Sequence, residues 1–395
     1  MNILITTGIY PPDVGGPARF VPLIAEKLSN KNNVKVITLS QDMSNLNKND
    51  YQVIRILRKQ NKFIRIFKTF FLILKFGRKS DVIFINGLWL ETYLANLFIR
   101  KNTIRKIVGD PVWEKYYSKY KVTEEFDEFQ SKKYNISIEL YKFFRNVSIR
   151  SVNTIIVPSN HLSNFIKNIG FTGNLMQINN GTKKSKDIEK IYDENNFLIV
   201  SRLVRHKNID LIIKSFNDLN KQDSLDFKLN IIGEGPEYKN IKDLIEKFNL
   251  SDSISLIGSK FGNELEEYYK NSNYFLQLSS YEGMPHSILE AMNHKLIVIA
   301  SKFGGNYELI GNNDFGYIVE SLEVDQVTDS IKNRFESFDR VATIDAVIAA
   351  PGKLKRELSS MSASSILTRF PLITVLGCLL LTFVVGLESG MNDCR

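Results

Sequence analysis

The sequence predicts an α/β protein built from two doubly wound parallel sheets, and three observations carry that prediction. Short apolar runs alternate with amphipathic stretches of helical spacing up to about residue 180, and the alternation restarts after residue 190. Between the two series lies a polar, charged stretch, residues 181–195 (GTKKSKDIEKIYDEN), with the composition of an interdomain linker. The chain has 395 residues, more than a single hydrophobic core usually serves. Alternating strands and helices imply a parallel sheet covered on both faces. The expected organisation is therefore a first domain over residues 1–180, the linker, a second domain over 196–335, and a tail over 336–395 of different character.

The elements follow in order. Asn2–Thr7 is an apolar run ending at Gly8 and reads as a buried strand. The segment GIYPPDVGGP (8–17) is a Gly/Pro-rich loop. A helix is expected from about Ala18 to Leu28, with Pro17 in its first turn. Strands are expected at Val34–Leu39, Val82–Ile85, Thr103–Val108 and Thr154–Val157, and Pro158-Ser159-Asn160 opens a helix reaching Asn168. In the second series the strands are Phe197–Val200, Lys228–Ile232, Ser253–Leu256, Tyr274–Leu278 and Leu296–Ala300. Helices fall at about 208–219, 237–248, 263–271 and 286–293.

Composition bounds the class. A hydrophobic content of 43% with 24% charged residues is that of a globular chain, neither disordered nor fibrous. The only cysteines are Cys378 and Cys394, so residues 1–377 hold no disulfide framework and no cysteine-based metal site. The start, MNILITTG, lacks the positive leader and long apolar run of a signal peptide, and a cytoplasmic protein is expected.

The net charge is +9, and much of it is concentrated in residues 55–79 (RILRKQNKFIRIFKTFFLILKFGRK). That segment carries nine Lys and Arg, no Asp or Glu, and interleaved Ile and Phe. It reads as a basic helix, either lying on an anionic membrane surface or packing its apolar face on a sheet with its lysines in water. No zinc spacing or RNA-binding signature supports nucleic acid as a partner.

The tail changes composition. Residues 1–335 contain five alanines and so do residues 336–395, while Asn392 is the only asparagine after 335. Pro371–Leu387 is an uncharged apolar run of 17 residues. It reads equally as a short membrane anchor, a buried helix, or part of a foreign or frame-shifted end.

Three loops carry the candidate chemistry. Gly15-Gly16-Pro17 lies between the first strand and first helix, where free backbone N–H groups suit an anion. Ser201–Asn208 (SRLVRHKN) follows a strand directly, at the sheet edge where open parallel sheets bind ligands. Arg202 and Lys207 can clamp a diphosphate there and neutralise its charge as it leaves; a solvated basic turn is the plainer reading. Ser279–Glu290 (SSYEGMPHSILE) follows another strand and opens a helix. Gly283, Met284 and Pro285 sit at that helix start, Glu282 is placed to accept hydrogen bonds from sugar hydroxyls, and Glu290 lies within the helix among apolar neighbours. The alternative for Glu282 is a first-turn carboxylate that complements the helix dipole.

Glu282 and Glu290 form an E-x7-E pattern, and SSYEGMPHSILEAM resembles the motif of glycosyltransferase family 4. GGPARFVPLIAEKL, IIVPSNHL, INNGT, VSRLVRHKNIDLIIKSF, LNIIGEGPEY and FGGNYELI resemble further segments of that family, in the same order, over roughly residues 1–335. The resemblance implies a GT-B fold of two Rossmann-like domains facing a cleft. It implies retaining transfer from a nucleoside diphosphate sugar to a lipid-linked or surface-polysaccharide acceptor; the basic segment 55–79 adds the expectation of a peripheral position at the inner membrane face. Arg202 and Lys207 would hold the donor diphosphate, Glu282 the transferred sugar and Glu290 the ribose. Gly16, Met284 and Pro285 would make backbone contacts, and the loop at Gly258–Lys260 would approach the base. No cofactor and no metal are implied, and the sequence holds no D-x-D triplet.

One departure stands out. Where many members carry a first-domain histidine, this chain has Gly109-Asp110-Pro111-Val112-Trp113-Glu114, which puts Asp110 in the histidine's place. An ionised aspartate accepts but cannot donate; the alternative for Asp110 is a turn-forming Asp-Pro. His161, His206, His286 and His294 are scattered and form no metal set. Two other functions are weighed. Another GT-B enzyme, an epimerase or a phosphorylase, would need an acid/base set or a cofactor lysine that does not stand out. A catalytically impaired membrane scaffold would sit poorly with intact Arg202, Lys207, Glu282 and Glu290.

Overall fold

The computed structural model describes residues 1–13, 15–41, 50–120, 124–182, 195–222, 226–311 and 316–336. Nearly all of the proposed linker, and the tail with its run 371–387, lie outside them. The described chain forms two compact units. One comprises Met1–Val112 and Tyr134–Asn179; the other comprises Trp113–Lys133 and residues 180–336. Residues 113–133, inside the span expected as one first domain, thus pack with the second unit.

In the first unit the order is β1 (Asn2–Thr7), α1 (Gly16–Ser29), β2 (Asn33–Ser40), β3 (Gln52–Leu57), α2 (Lys62–Gly77), β4 (Val82–Ile85), α3 (Trp89–Ile99) and β5 (Asn102–Lys106). After β5 come α4 (Pro111–Tyr120) and α5 (Phe126–Ser131), then α6 (Ile136–Arg150), β6 (Thr154–Val157), α7 (Asn160–Asn168) and β7 (Asn174–Gln177). The seven strands pair in parallel in the order β3-β2-β1-β4-β5-β6-β7. Central strands of such a sheet are covered on both faces and need no polar side; β4 (VIFI) is buried at all four positions. Ile3, Ile5, Val21, Ile24, Leu28, Val36 and Phe84 form the core on the α1 side.

The second unit continues with β8 (Asn196–Val200), α8 (Ile209–Lys221), β9 (Lys228–Ile232), α9 (Tyr238–Lys247), β10 (Ile254–Gly258) and α10 (Gly262–Lys270). It ends with β11 (Tyr274–Gln277), α11 (His286–Asn293), β12 (Ile297–Ser301), α12 (Gly305–Ile310), β13 (Gly316–Val319) and α13 (Val324–Glu336). Its sheet is parallel in the order β10-β9-β8-β11-β12-β13. Successive strand residues serve opposite faces. Phe197 and Ile199 of β8 enter the core with α8 and α9, and Leu198 enters the one with α10 and α11.

The expected strands and helices are present, most within two residues of the stated bounds. Three strands were not expected, β3, β7 and β13. The first corrects the reading of residues 55–79 as one helix: Arg55, Ile56 and Leu57 belong to β3, and the helix spans only Lys62–Gly77. Arg55 misled because it is charged yet 7% exposed, its guanidinium lying over the Tyr10 ring and bonding Ser40 Oγ at 3.4 Å.

Candidate active site

The strand order decides where the site forms. In the second sheet the direction of winding reverses between β8 and β11, which are neighbours. Loops leaving the carboxyl ends of two such strands diverge to opposite faces and leave a crevice for ligands. Those two loops are the ones carrying Arg202–Lys207 and Ser279–Pro285.

They are sewn together. Ser280 N donates to the His206 carbonyl at 2.8 Å, and Asn208 Nδ2 donates to Leu278 O at 2.7 Å and to Ser280 Oγ at 2.9 Å. Asn208 holds a left-handed conformation (φ 51°), which an asparagine tolerates better than most residues, and it opens α8. Lys207 Nζ is ion-paired with Glu282 Oε1. The same oxygen accepts from Gln277 Nε2 and Ser279 Oγ, both at 2.7 Å. Among the described residues nothing donates to the second carboxylate oxygen, Oε2. Burial pushes the Glu282 carboxyl upward more than any one neighbour pulls it down. The charge and hydrogen bond of Lys207, with the Ser279 hydroxyl, together outweigh it and hold the carboxyl below its ordinary range. Glu282 is therefore an anchored anion, not an acid.

Two glycine turns support these loops from behind. Gly304 has φ +62°, and a Cβ there would lie 2.0 Å from the Glu282 carbonyl oxygen; the next amide, Gly305 N, donates to that same oxygen at 2.8 Å. A Cβ on Gly233 would lie 1.8 Å from the Ser201 carbonyl oxygen. Backbone meets backbone at both places, so only glycine fits.

Residues 113–133 brace the loops from another side. Tyr117 Oη and Ser280 Oγ share a hydrogen bond of 2.9 Å, Phe126 stacks on Tyr281 at 4.0 Å, and Trp113 lies edge-on to His206 and Tyr281. His206 is 5% exposed, with Nδ1 unpaired among the described residues. Burial first, then the charges of Lys207 and Arg202, push its pKa down to about 3. It is neutral at any physiological pH.

The remaining expected site residues are placed as follows. Arg202 is 61% exposed and stands 3.6 Å from the Glu114 carboxylate, so it is not drawn into the Lys207–Glu282 pair. Met284 is buried, and its carbonyl accepts from Asn180 Nδ2 at 2.8 Å. Gly283 and Pro285 lead into α11, whose first amides follow Pro285. Glu290 Oε2 accepts from Tyr269 Oη at 3.1 Å, which answers how a carboxylate sits among apolar neighbours. Gly258 ends β10 with φ +82°, and Lys260 pairs with Glu264 at 3.0 Å.

Gly15, Gly16 and Asp110 lie in the first unit. Gly15 precedes α1 with φ +151°, and space is open around a Cβ at Gly16. Asp110 is fully buried. It is ion-paired with Arg145 and accepts from Val112 N at 3.0 Å, capping α4. That placement makes it an anchor for the start of α4. At the end of β5, the Lys106 ammonium lies 3.7 Å from the Phe20 ring centroid, and burial lowers its pKa to about 8.

Sequence reasoning did not find Gln277, Ser279, Tyr269, Tyr117 or Gly304. The last sits in a noted glycine turn, and Gln277 was visible as a polar residue ending an apolar strand. Among the described residues no group of three or more His, Cys, Asp or Glu is placed to hold a metal ion.

A parallel 3-2-1-4-5-6 sheet with the Lys207–Glu282 pair at its reversal point is a Rossmann-like arrangement. Residues 181–338, which take in most of the second unit, match the family described as glycosyl transferases group 1. Amylovoran biosynthesis glycosyltransferase AmsD of Erwinia amylovora is 28% identical over 174 residues, 42% of this chain and 48% of that protein. Alpha-monoglucosyldiacylglycerol synthase of Streptococcus pneumoniae is 23% identical over 348 residues, 80% of this chain and 74% of that protein. The match spans about half the length of the first curated relatives. The structure of Anabaena HepE in complex with UDP-glucose superposes with a TM-score of 0.68 at 16% identity, covering 91% of this chain and all of that one, and shows the shared GT-B fold.

Proposed function

We propose that this chain is a glycosyltransferase that moves a sugar, with retention, from a nucleoside diphosphate sugar to a glycan or lipid-linked acceptor of surface-polysaccharide type. One observation carries the reading: Glu282 has one oxygen saturated by Lys207, Gln277 and Ser279 and the other unclaimed among the described residues. A carboxylate fixed in that way accepts from a sugar hydroxyl without reorganising. Lys207 beside it, Arg202 on the same loop and the first amides of α11 supply positive charge for a departing diphosphate. The named functions of AmsD and of the diacylglycerol-lipid synthase, and the UDP-glucose bound by HepE, support a nucleotide-sugar donor and a glycan or lipid acceptor.

In this reading the sugar–phosphate bond breaks first, giving an oxocarbenium-like sugar and a dianionic leaving group. Arg202, Lys207 and the helix start hold the leaving phosphate, and the phosphate takes the acceptor's proton on the same face. Glu290 binds the ribose, the Gly258–Lys260 loop lies toward the base, and Gly15–Gly16 serve the acceptor-bearing unit. No metal and no cofactor are required. The basic segment 55–79 holds the protein at the anionic inner face of the membrane; no helix among the described residues is long and apolar enough to cross one.

The test is a donor screen followed by transfer. Thermal shift against UDP-, GDP- and ADP-sugars should show stabilisation by one base class, and the matching sugar should appear on a membrane-extracted acceptor. No stabilisation by any nucleoside diphosphate would remove the reading.

A further inference from the structure

The strongest feature outside the site is an apolar face of the first unit that nothing among the described residues covers. The crossovers β3-α2-β4, β4-α3-β5 and β5-α6-β6 all run in one direction along the sheet. Right-handed connections therefore place α2, α3 and α6 on the same side. α3 packs against both of the others, and Phe70 of α2 meets Phe98 of α3 edge-on at 6.0 Å.

Each helix buries a mixed set of residues and leaves large apolar ones exposed. α2 buries Thr69, Ile73 and Gly77 and exposes Phe63, Phe67 and Phe71. α3 buries Thr92 and Ala95 and leaves Leu97 and Phe98 52% and 70% exposed. α6 exposes Ile136, Leu140 and Phe143 at helical spacing, with Ile136 87% exposed. Single exposed apolar residues are ordinary on a soluble surface, but a face shared by three adjacent helices is not. α3 is apolar on nearly every side, the pattern of a helix with no aqueous face.

The charges around the face are mostly positive. Lys62, Lys68 and Lys75 line α2, Arg100 and Lys101 follow α3, and Arg150 ends α6. Residues 55–79 contain no acid. On α3 the acid Glu91 is half-buried, and burial raises its carboxyl above the ordinary range. On α6 Glu139 is tied to Lys142 at 3.5 Å and to Tyr134 N at 3.0 Å.

We infer that α2, α3 and α6 together form an interfacial face that sinks its aromatic and aliphatic side chains below the headgroups of an anionic bilayer, with the lysines and arginines at headgroup level. This rests on the membrane contact proposed for residues 55–79 and changes its nature: the contact is hydrophobic insertion by three helices, not surface adsorption of one basic segment. A second copy of the same face is disfavoured, because pairing it would bring two sets of lysines together with few acids to offset them. An anionic lipid surface matches both the apolar tips and the sign of the rim.

The test uses the full chain and vesicles of phosphatidylcholine with or without phosphatidylglycerol, read by co-sedimentation at low and high salt. The variants are L97D/F98D, L140D/F143D, the milder L97S/F98S, and K62Q/K68Q. Thermal shift with and without the stabilising nucleoside diphosphate checks that each is folded and still binds donor. Each aspartate pair should lower partition into anionic vesicles by about tenfold or more, with donor binding unchanged. Wild-type protein should keep a salt-resistant fraction that both pairs lose. If K62Q/K68Q loses binding while L97D/F98D and L140D/F143D sediment like wild type, the insertion is overturned and the charge-driven contact of 55–79 survives. If wild-type protein ignores anionic vesicles altogether, both fall. If the aspartate pairs instead turn a dimer into a monomer, with sedimentation unchanged, the face belongs to a second copy and the lipid assignment is overturned.

Discussion

Lys207 and Glu282 come from loops 75 residues apart and meet as a close ion pair at the carboxyl ends of adjacent strands β8 and β11. Each side chain is only 12% exposed, so the pair is largely removed from water. Such a pair contributes less to stability than its Coulomb energy suggests, but removing one member leaves a stranded charge. K207M should therefore cost about 2–3 kcal/mol in chemical denaturation, and K207M/E282Q should recover a large part of it. Transfer should fall about 100-fold or more in kcat for K207M. Turnover within a few-fold of wild type would remove Lys207 from the reaction.

Gly304 is predicted to be as sensitive as either charged residue, although it carries no functional group. A Cβ at 2.0 Å from the Glu282 carbonyl must push the loop that presents the carboxylate. G304A should weaken donor binding about tenfold or more, seen by calorimetric titration. Wild-type affinity in a folded G304A would mean that the loop is free to shift without consequence.

Acid should unfold the second unit in two stages, because two groups have depressed values. His206 stays neutral in the fold down to about pH 3, while an unfolded histidine takes up a proton near 6.5. The unfolded state then binds more protons, so stability drops as pH falls from about 6.5, by up to about 1.4 kcal/mol per unit. Glu282 is also depressed; its contribution is complete above the ordinary carboxylate range and is lost only as pH falls through its lower folded value. H206F should flatten the first stage and leave the second. Equal slopes for wild type and H206F between pH 6.5 and 4.5 would show that the imidazole is not the group responsible.

Asp110 is expected to act on stability before it acts on chemistry. It is fully buried against Arg145 and caps α4. D110A leaves a buried guanidinium without its anion and should cost about 3–5 kcal/mol. D110N keeps the cap acceptor and should cost less. A D110A protein of wild-type stability with abolished transfer would restore a direct role in the site.

Glu114 stands against Arg202 on an exposed edge, at 3.6 Å. A pair so open is worth under about 1 kcal/mol, yet it occupies the cation expected to meet the diphosphate. E114Q should leave stability unchanged and tighten UDP binding about 2–5-fold. Weaker binding in E114Q would mean that Glu114 helps the ligand rather than competing with it.

The candidate residues Arg202, Lys207 and Glu282 stand out in the sequence because charged residues in loops that follow apolar strand runs have little structural reason to be there, and Glu290 because it lies among apolar neighbours in a helix. The burial of Asp110 was not legible: a charged residue can be buried when a partner 35 positions later neutralises it, and no local pattern reveals Arg145. The same blindness explains β3, where an interior arginine broke the apolar alternation, and the assignment of residues 113–133, whose aromatic side chains look like any helix core until Tyr281 and His206 are found beneath them.

The sequence by itself determined the strand–helix alternation, the two parallel sheets and the loops that bear the chemistry, because periodicity and turn residues act over a few neighbouring positions. Only the tertiary structure decided that Lys207 reaches Glu282, that Gly304 touches its backbone, and that three helices turn their aromatic sides outward together. Those facts depend on strand order and on close approach between residues far apart in the chain, and the free energy of such contacts is written in the packing, not in local preference.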